Sequence, residues 1–294
     1  MGNDSFWNFY WDERLQFLQG QGKREVILRA SQLIRETASP FRILEAGSGC
    51  GQVIGALAGA HGCTDCVGID IDPKALLTAA RDYPQVRFQH GDIRDQIFLK
   101  TLGKFDLLIL VNTLHHVFSE GLSGVTTRER IRHGKQAVEA CFKGMAGMLG
   151  PGGVMIIFDG LEPDNAVETM VEIGFRSPEA RHNFLTFARE FQPWKIEFLP
   201  LTDMAVRLNL RDFSRYLSKL IFLAKPLWER ERQESYQYMT KDEIQKMLAE
   251  YNFRLVEWHL LSVDYAHWLD AVEILTPGME FPAEHVMLLA EKLI

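Results

Sequence analysis

Apolar positions follow two different textures along the 294-residue chain. Trp7, Trp11, Leu15 and Leu18 recur at helical spacing, and a second helical stretch runs up to Pro40, before which a helix must end. From Arg42 the texture changes. Short apolar runs (Arg42–Ala46, Cys66–Ile69, Val86–Gln89, Phe105–Val111, Val154–Phe158) alternate with segments of helical length (Val53–Ala60, Pro73–Arg81, Lys135–Leu149). Continuous apolar runs are strands buried on both faces. Their alternation with helices predicts an α/β protein with a mainly parallel sheet, covered by helices on both sides. Gly150-Pro151-Gly152-Gly153 closes the last of these helices, since Gly and Pro beyond a helix end stop it from continuing.

Residues 160–235 break the alternation and are expected to be helical, inserted after the fifth strand. Thr240-Lys241-Asp242-Glu243 fits a capping box, and the helix it opens should end near Asn252, a residue that tolerates the left-handed conformation. Phe253–Leu261 and Ala266–Leu275 are expected to be the strands that complete the sheet. Phe281–Ile294 has the pattern of a final amphipathic helix.

Composition narrows the class. With 47% apolar and 24% charged residues the chain can bury a sizeable core, and its net charge of −7 lacks the general attraction for phosphate backbones. No nucleic-acid partner is therefore expected. The longest apolar runs are strand-length, so no membrane span is expected. The aromatic and acidic start, lacking the basic residues of a secretory signal, points to a cytoplasmic protein. Four cysteines do not make a disulfide framework. Cys63 and Cys66, with His61 nearby, have no second ligand pair at zinc spacing, and no metal is expected from them.

The chemistry concentrates where strands end. Ile43-Leu44-Glu45-Ala46 runs into Gly47-Ser48-Gly49-Cys50-Gly51 and then a helix. Glycines there let the backbone turn sharply and approach a ligand closely. The spacing is Gly-x-Gly-x-Gly rather than the Gly-x-Gly-x-x-Gly of a dinucleotide loop, and Glu45 stands two residues ahead of it. A carboxylate there repels a pyrophosphate and suits an ammonium group. The second strand ends in Asp70, placed to accept hydrogen bonds from ribose hydroxyls. The third ends in Gly91-Asp92-Ile93, and the fourth in Asn112-Thr113-Leu114-His115-His116. Four polar strand ends in order describe one crevice at the carboxyl edge of a sheet.

On these residues the chain resembles the class I S-adenosylmethionine-dependent methyltransferases. The motifs are Glu45–Gly51, Val67–Pro73, His90–Ile93, Phe105-Asp106 through Val117, and Leu149–Gly153. They cover residues 41–159 and, more loosely, 240–275. The resemblance implies a doubly wound, mainly parallel, seven-stranded Rossmann-like sheet with a helical insertion after the fifth strand. It divides the chain into an N-terminal helical cap (1–40), the cofactor-binding core (41–159), a helical lid or acceptor insertion (160–239), and a segment completing the sheet with a C-terminal helix (240–294). It implies S-adenosylmethionine as cofactor, with Glu45, Gly47, Ser48, Gly49 and Gly51 around its methionine end. Asp70 would take the ribose, Ile71 and Ile93 would flank the adenine, Asp92 would accept from the adenine amino group, and Asn112 would lie near the amine. Asn252, where the family often has Gly, and the extra C-terminal helix depart from the family pattern without touching this chemistry.

A small organic acceptor follows from the acidic balance and from the absence of an Asn/Asp-Pro-Pro-aromatic motif after the fourth strand. His115 and His116 are candidate general bases, imidazole titrating near neutrality; the alternative, which this reading favours, is that they line the pocket or cap the fourth strand. Trp7, Tyr10 and Trp11, with the aromatics of 160–240, are expected to form the lid and acceptor pocket. Arg207, Arg211, Arg215 and Lys219 form a row at helical spacing opposite Leu210, Phe213 and Leu217, which fits a solvated face over a buried one. A non-catalytic methyltransferase-like interaction protein and a same-fold enzyme with another adenosyl cofactor are the alternatives.

Overall fold

The computed structural model describes residues 21–36, 41–61, 65–262 and 265–293. Trp7, Tyr10 and Trp11, and with them the expected N-terminal lid, lie outside the described residues, as does Cys63. The strands are β1 Ile43–Ala46, β2 Cys66–Asp70, β3 Arg87–His90, β4 Phe105–Val111, β5 Leu149–Gly160, β6 Met170–Phe175, β7 Phe198–Thr202, β8 Ala205–Asn209, β9 Phe253–Leu261, β10 Val272–Ile274 and β11 His285–Lys292. Seven of them form one sheet in the order β3-β2-β1-β4-β5-β11-β9. The first five are parallel, and β11 runs antiparallel between β5 and β9. This is the doubly wound, mainly parallel sheet expected from the alternation. Every residue of β1 is buried, as a central strand covered on both faces requires.

Two apolar layers sandwich that sheet. One packs Val26 and Ala30 of the helix Gln21–Glu36, together with Val53 and Leu57 of the helix Gln52–His61, against Ile43, Leu107, Ile109 and Ile156. The other packs Val138, Phe142 and Met145 of the helix Thr127–Ala146 against Leu44, Leu108, Leu110 and Ile157, and continues into the insertion. The order in which successive strands are added across the sheet reverses at β1, which has β2 on one side and β4 on the other. Ligands of open α/β sheets bind at such a point, outside the strands' carboxyl ends.

Three expectations are corrected here. Residues 160–239 are not simply helical. β6, β7 and β8 lie within them and join β10 in a second, antiparallel sheet of order β10-β6-β8-β7. The helices Pro178–Glu190 and Leu210–Lys219 pack beside it. Strands of five or six residues are too short for their period to stand out, and their pairing is set by partners far along the chain. Second, residues 281–293 hold no helix: Val286 to Ala290 are buried on both faces of β11, and a fully buried strand has no amphipathic period to read. Third, Ala266–Leu275 is not a sheet-closing strand. The helix Tyr265–Ala271 occupies its first part and β10 its second.

The basic row is also not a solvated face. Arg207 sits in β8 and pairs with Glu172. Arg215 and Lys219 are buried, on Glu162 and Glu231 respectively. Leaving either partner alone would strand a buried charge, so the pairs hold the helix Leu210–Lys219 in one register. The capping box at Thr240 and Glu243 is present, and Asn252 adopts φ +62° as its position after the helix end required.

Candidate active site

A cavity of about 460 Å³ opens at the switch point between β1, β2 and β4. Glu45, Gly47, Ser48, Gly49, Asp70, Ile71, Asp92, Ile93, Asn112 and His116 all line it. Folding therefore brings almost every residue singled out on the strand ends to one place. Gly51 and His115 are absent from the wall. Gly51 instead packs under Phe88, where a Cβ would come within 2.6 Å of the ring.

The glycine loop is held by its neighbours. Gly47 has φ +77°, and a Cβ there would meet Thr113 Oγ1 at 2.4 Å, so only glycine lets the loop pass this close to the end of β4. Thr113 Oγ1 lies 3.2 Å from the Ala46 carbonyl, which it can reach as a donor. Asp70 spans the other side: its Oδ2 accepts from Gly49 N–H (2.7 Å) and its Oδ1 from Asp72 N–H (2.8 Å). Burial raises the Asp70 carboxyl, and these two backbone donors oppose the shift.

Glu45 is the most perturbed group in the cavity. Its Oε2 accepts from Ile54 N–H (3.0 Å) at the start of the following helix, yet burial pushes its pKa up to about 8. The ligand-free protein thus carries Glu45 largely protonated at neutral pH. An unfolded glutamate titrates near 4.5, so the folded state binds more protons between that value and about 8, and stability falls as pH rises through the interval. Glu45→Gln is therefore expected to stabilise the ligand-free protein at pH 8 and to change it little at pH 4.5. Urea unfolding at both pH values measures this, and an equal effect at the two would refute the shift.

The cavity also holds groups with unused hydrogen-bonding capacity. Asn112, at φ +51°, donates its N–H to Phe158 O (2.7 Å), while its buried Oδ1 has no partner among the described residues. Ser48 Oγ is buried in the same condition. Asp92 is already engaged by Arg94 (2.7 Å), whose guanidinium holds the carboxyl below its usual range. Ile71 projects into solvent at the mouth, 57% exposed.

The two adjacent histidines separate. His115 is 2% exposed, and its Nδ1 lies 2.7 Å from Asp159 Oδ1 at the end of β5. Asp159 Oδ2 accepts from the backbone N–H groups of Thr113, Leu114 and His115, which opens the helix Leu114–Gly121 directly over the sheet edge. Burial pushes the His115 imidazole down to about 4, so it is neutral, donating from Nδ1 to the carboxylate. His116 faces the cavity, and its Nδ1 lies 3.3 Å from Glu234 Oε2 of the insertion.

Three comparisons with known proteins bear on this arrangement. Residues 43–153 match the family described as "Methyltransferase domain". Those residues are a class I methyltransferase domain. The protein is a methyl-transferring enzyme, and S-adenosylmethionine is its cofactor. A comparison with curated proteins finds no match. Among solved structures, the YcgJ protein from Bacillus subtilis is similar with TM-score 0.53 at 14% identity, over 92% of this chain and 99% of that one. A putative methyltransferase from Bacillus halodurans C-125 gives 0.52 at 14% identity, over 91% and 99%. An S-adenosylmethionine-dependent methyltransferase from Clostridium acetobutylicum gives 0.52 at 12% identity, over 99% of both chains. Identities this low establish a shared fold.

Sequence reasoning missed several residues around this cavity. Lys23, bonded to Gln52 (2.9 Å), lines the cavity from the helix Gln21–Glu36. Arg230 reaches it from the insertion, Glu234 sits behind it against His116 (3.3 Å), and Asp159 anchors His115 from below. Of these only Asp159 had a legible signal: an acid ending an apolar run, like Asp70 before it. No helix among the described residues is long and apolar enough to cross a membrane.

Proposed function

We propose that this enzyme moves the sulfonium methyl of S-adenosylmethionine to a small organic acceptor that enters from the side of the insertion. One observation carries the reading. Arg230, from residues 160–239, shares a cavity wall with the glycine loop and Asp70, so a molecule next to the cofactor also meets the insertion. The apolar and aromatic character of that insertion supports an acceptor with an apolar or aromatic part, and the net charge of −7 favours a metabolite over a nucleic acid.

The cavity residues fit the cofactor. Glu45 would face its ammonium group, and Gly47, Gly49 and Gly51 would let the loop backbone close on the methionine end. The unpartnered Ser48 Oγ and Asn112 Oδ1 offer hydrogen bonds at that end. Asp70 would take the ribose hydroxyls, Ile71 and Ile93 the adenine faces, and Asp92 the adenine amino group while still paired to Arg94. When bound, the cofactor supplies a methyl group on positively charged sulfur, transferred by in-line displacement that leaves a thioether. The chain's own contribution is to orient the acceptor and exclude water. Of the two histidines, His116 would act on the acceptor, and His115, fixed by Asp159, would position it. Trp7, Tyr10 and Trp11 would complete the lid.

Incubating the protein with methyl-labelled S-adenosylmethionine and panels of small amines, phenols and carboxylic acids tests this. The expected result is a methylated product formed together with S-adenosylhomocysteine. Arg230→Ala should raise the acceptor KM about tenfold or more while S-adenosylhomocysteine affinity stays within about twofold. An acceptor whose KM ignores that substitution would place its entrance elsewhere.

A further inference from the structure

We propose that His115, His116 and Glu234 form a binding site for one divalent transition-metal ion at the acceptor side of the cavity. The inference deepens the reading of the methyl-transfer site and rests on it only for the role of the ion. One ligand atom from each of the three residues lies within 4.8 Å of the others, so a single ion between them is within reach of all three after small side-chain movements. The His116–Glu234 edge, at 3.3 Å, already has the ligand–ligand spacing of a tetrahedral site with bonds of about 2.0–2.1 Å.

The state of these groups points the same way. His115 is 2% exposed with Nδ1 committed to Asp159, and its Nε2 is buried with no hydrogen-bond partner among the described residues. A buried imidazole whose second nitrogen is oriented by a carboxylate has the arrangement that sets up metal-ligating histidines. Glu234 Oε1 is approached by Arg230 (3.3 Å), while Oε2 is buried and faces His116 Nδ1 at 3.3 Å. His115 Nε2 is therefore a buried acceptor with no donor, and leaving it unmet costs about 1–3 kcal/mol. A cation meets it together with the Glu234 carboxylate.

Two imidazoles and one carboxylate are the donor set of zinc and of similar borderline ions, leaving a position for an exogenous ligand. His116 lines the cavity, so that position opens toward the cofactor. An acceptor hydroxyl or amine held there would have its pKa lowered and lose its proton to solvent before its lone pair takes the methyl group. The site has no linear sequence signature. Glu234 comes from the insertion, more than a hundred residues beyond the histidines, and only the folded chain joins them.

The full-length protein, stripped with a chelator, is titrated with Co(II) alone. The expected result is one Co(II) per chain, visible d–d bands of a four- or five-coordinate nitrogen–oxygen site, and displacement by Zn(II). Glu234→Gln and His116→Gln should each weaken Co(II) binding at least about 100-fold, and exposed His259→Gln should leave it unchanged. Circular dichroism and S-adenosylhomocysteine binding by Glu234→Gln establish that the variant is folded. No Co(II) bound at submillimolar concentration, or binding that survives both ligand substitutions, overturns the proposal. Either result leaves methyl transfer standing, because no step of the titration uses activity.

Discussion

Replacing Asp159 with Ala is expected to cost about 3–5 kcal/mol of folding stability, because one buried carboxylate serves five donors. Its Oδ2 collects three successive N–H groups at the start of the helix Leu114–Gly121, and its Oδ1 takes Gly160 N–H (2.8 Å) and the His115 ring. These helix N–H groups have no intrahelical partner, and the acid that meets them is fully buried. Asp159→Asn keeps the volume and one acceptor oxygen, so it should fall between wild type and Ala. Urea unfolding measures both. A loss under about 1 kcal/mol for the Ala variant would mean that the helix start is held by packing instead. Cofactor affinity in the surviving folded fraction separates the two effects, since Thr113 supports the glycine loop and would shift with the helix.

Asp70→Ala is expected to weaken S-adenosylhomocysteine binding about 10- to 150-fold, the range set by losing a charge-assisted hydrogen bond of about 1.5–3 kcal/mol. The carboxylate lines the cavity and also ties Gly49 to Asp72, so removing it loosens the loop as well as the proposed ribose contact. Asp70→Asn distinguishes the two roles: its carbonyl oxygen can still accept from Gly49 N–H, while the negative charge is gone. Calorimetric titration of both variants decides the matter. Affinity unchanged in Asp70→Ala would remove the residue from the binding account altogether, and equal losses in both would assign the effect to charge.

Most of the parallel half of the sheet was legible because its causes are local. A strand covered on both faces must be apolar throughout, and Phe105–Val111 was placed with the bounds it has in the fold. Glycines that turn into a helix announce themselves by type and spacing, as do the acids at Asp70 and Asp92. In the antiparallel half β9 was placed with its own bounds, Phe253–Leu261, and β11 was misread for the opposite reason. β11 is as apolar as a buried helix segment, and its identity as a strand comes from β5 and β9 on either side of it. β6 to β8 are short, and the arginine row that crosses from β8 into the next helix looked solvated only because its acidic partners are distant in sequence.

What the sequence determined by itself was the switch-point crevice and the chemical character of its floor, since consecutive strand–helix units of a parallel sheet must deliver their polar ends to one edge. Tertiary structure alone decided which of His115 and His116 meets the cavity. Asp159 draws the first inward, and the turn of the helix then presents the second outward toward Glu234. It also decided that Glu45 is largely protonated in the ligand-free protein, because a pKa of about 8 comes from desolvation by neighbours that no spacing rule records. Contacts between residues near in the chain are written in local pattern, whereas burial and long-range pairing exist only once the chain has closed on itself.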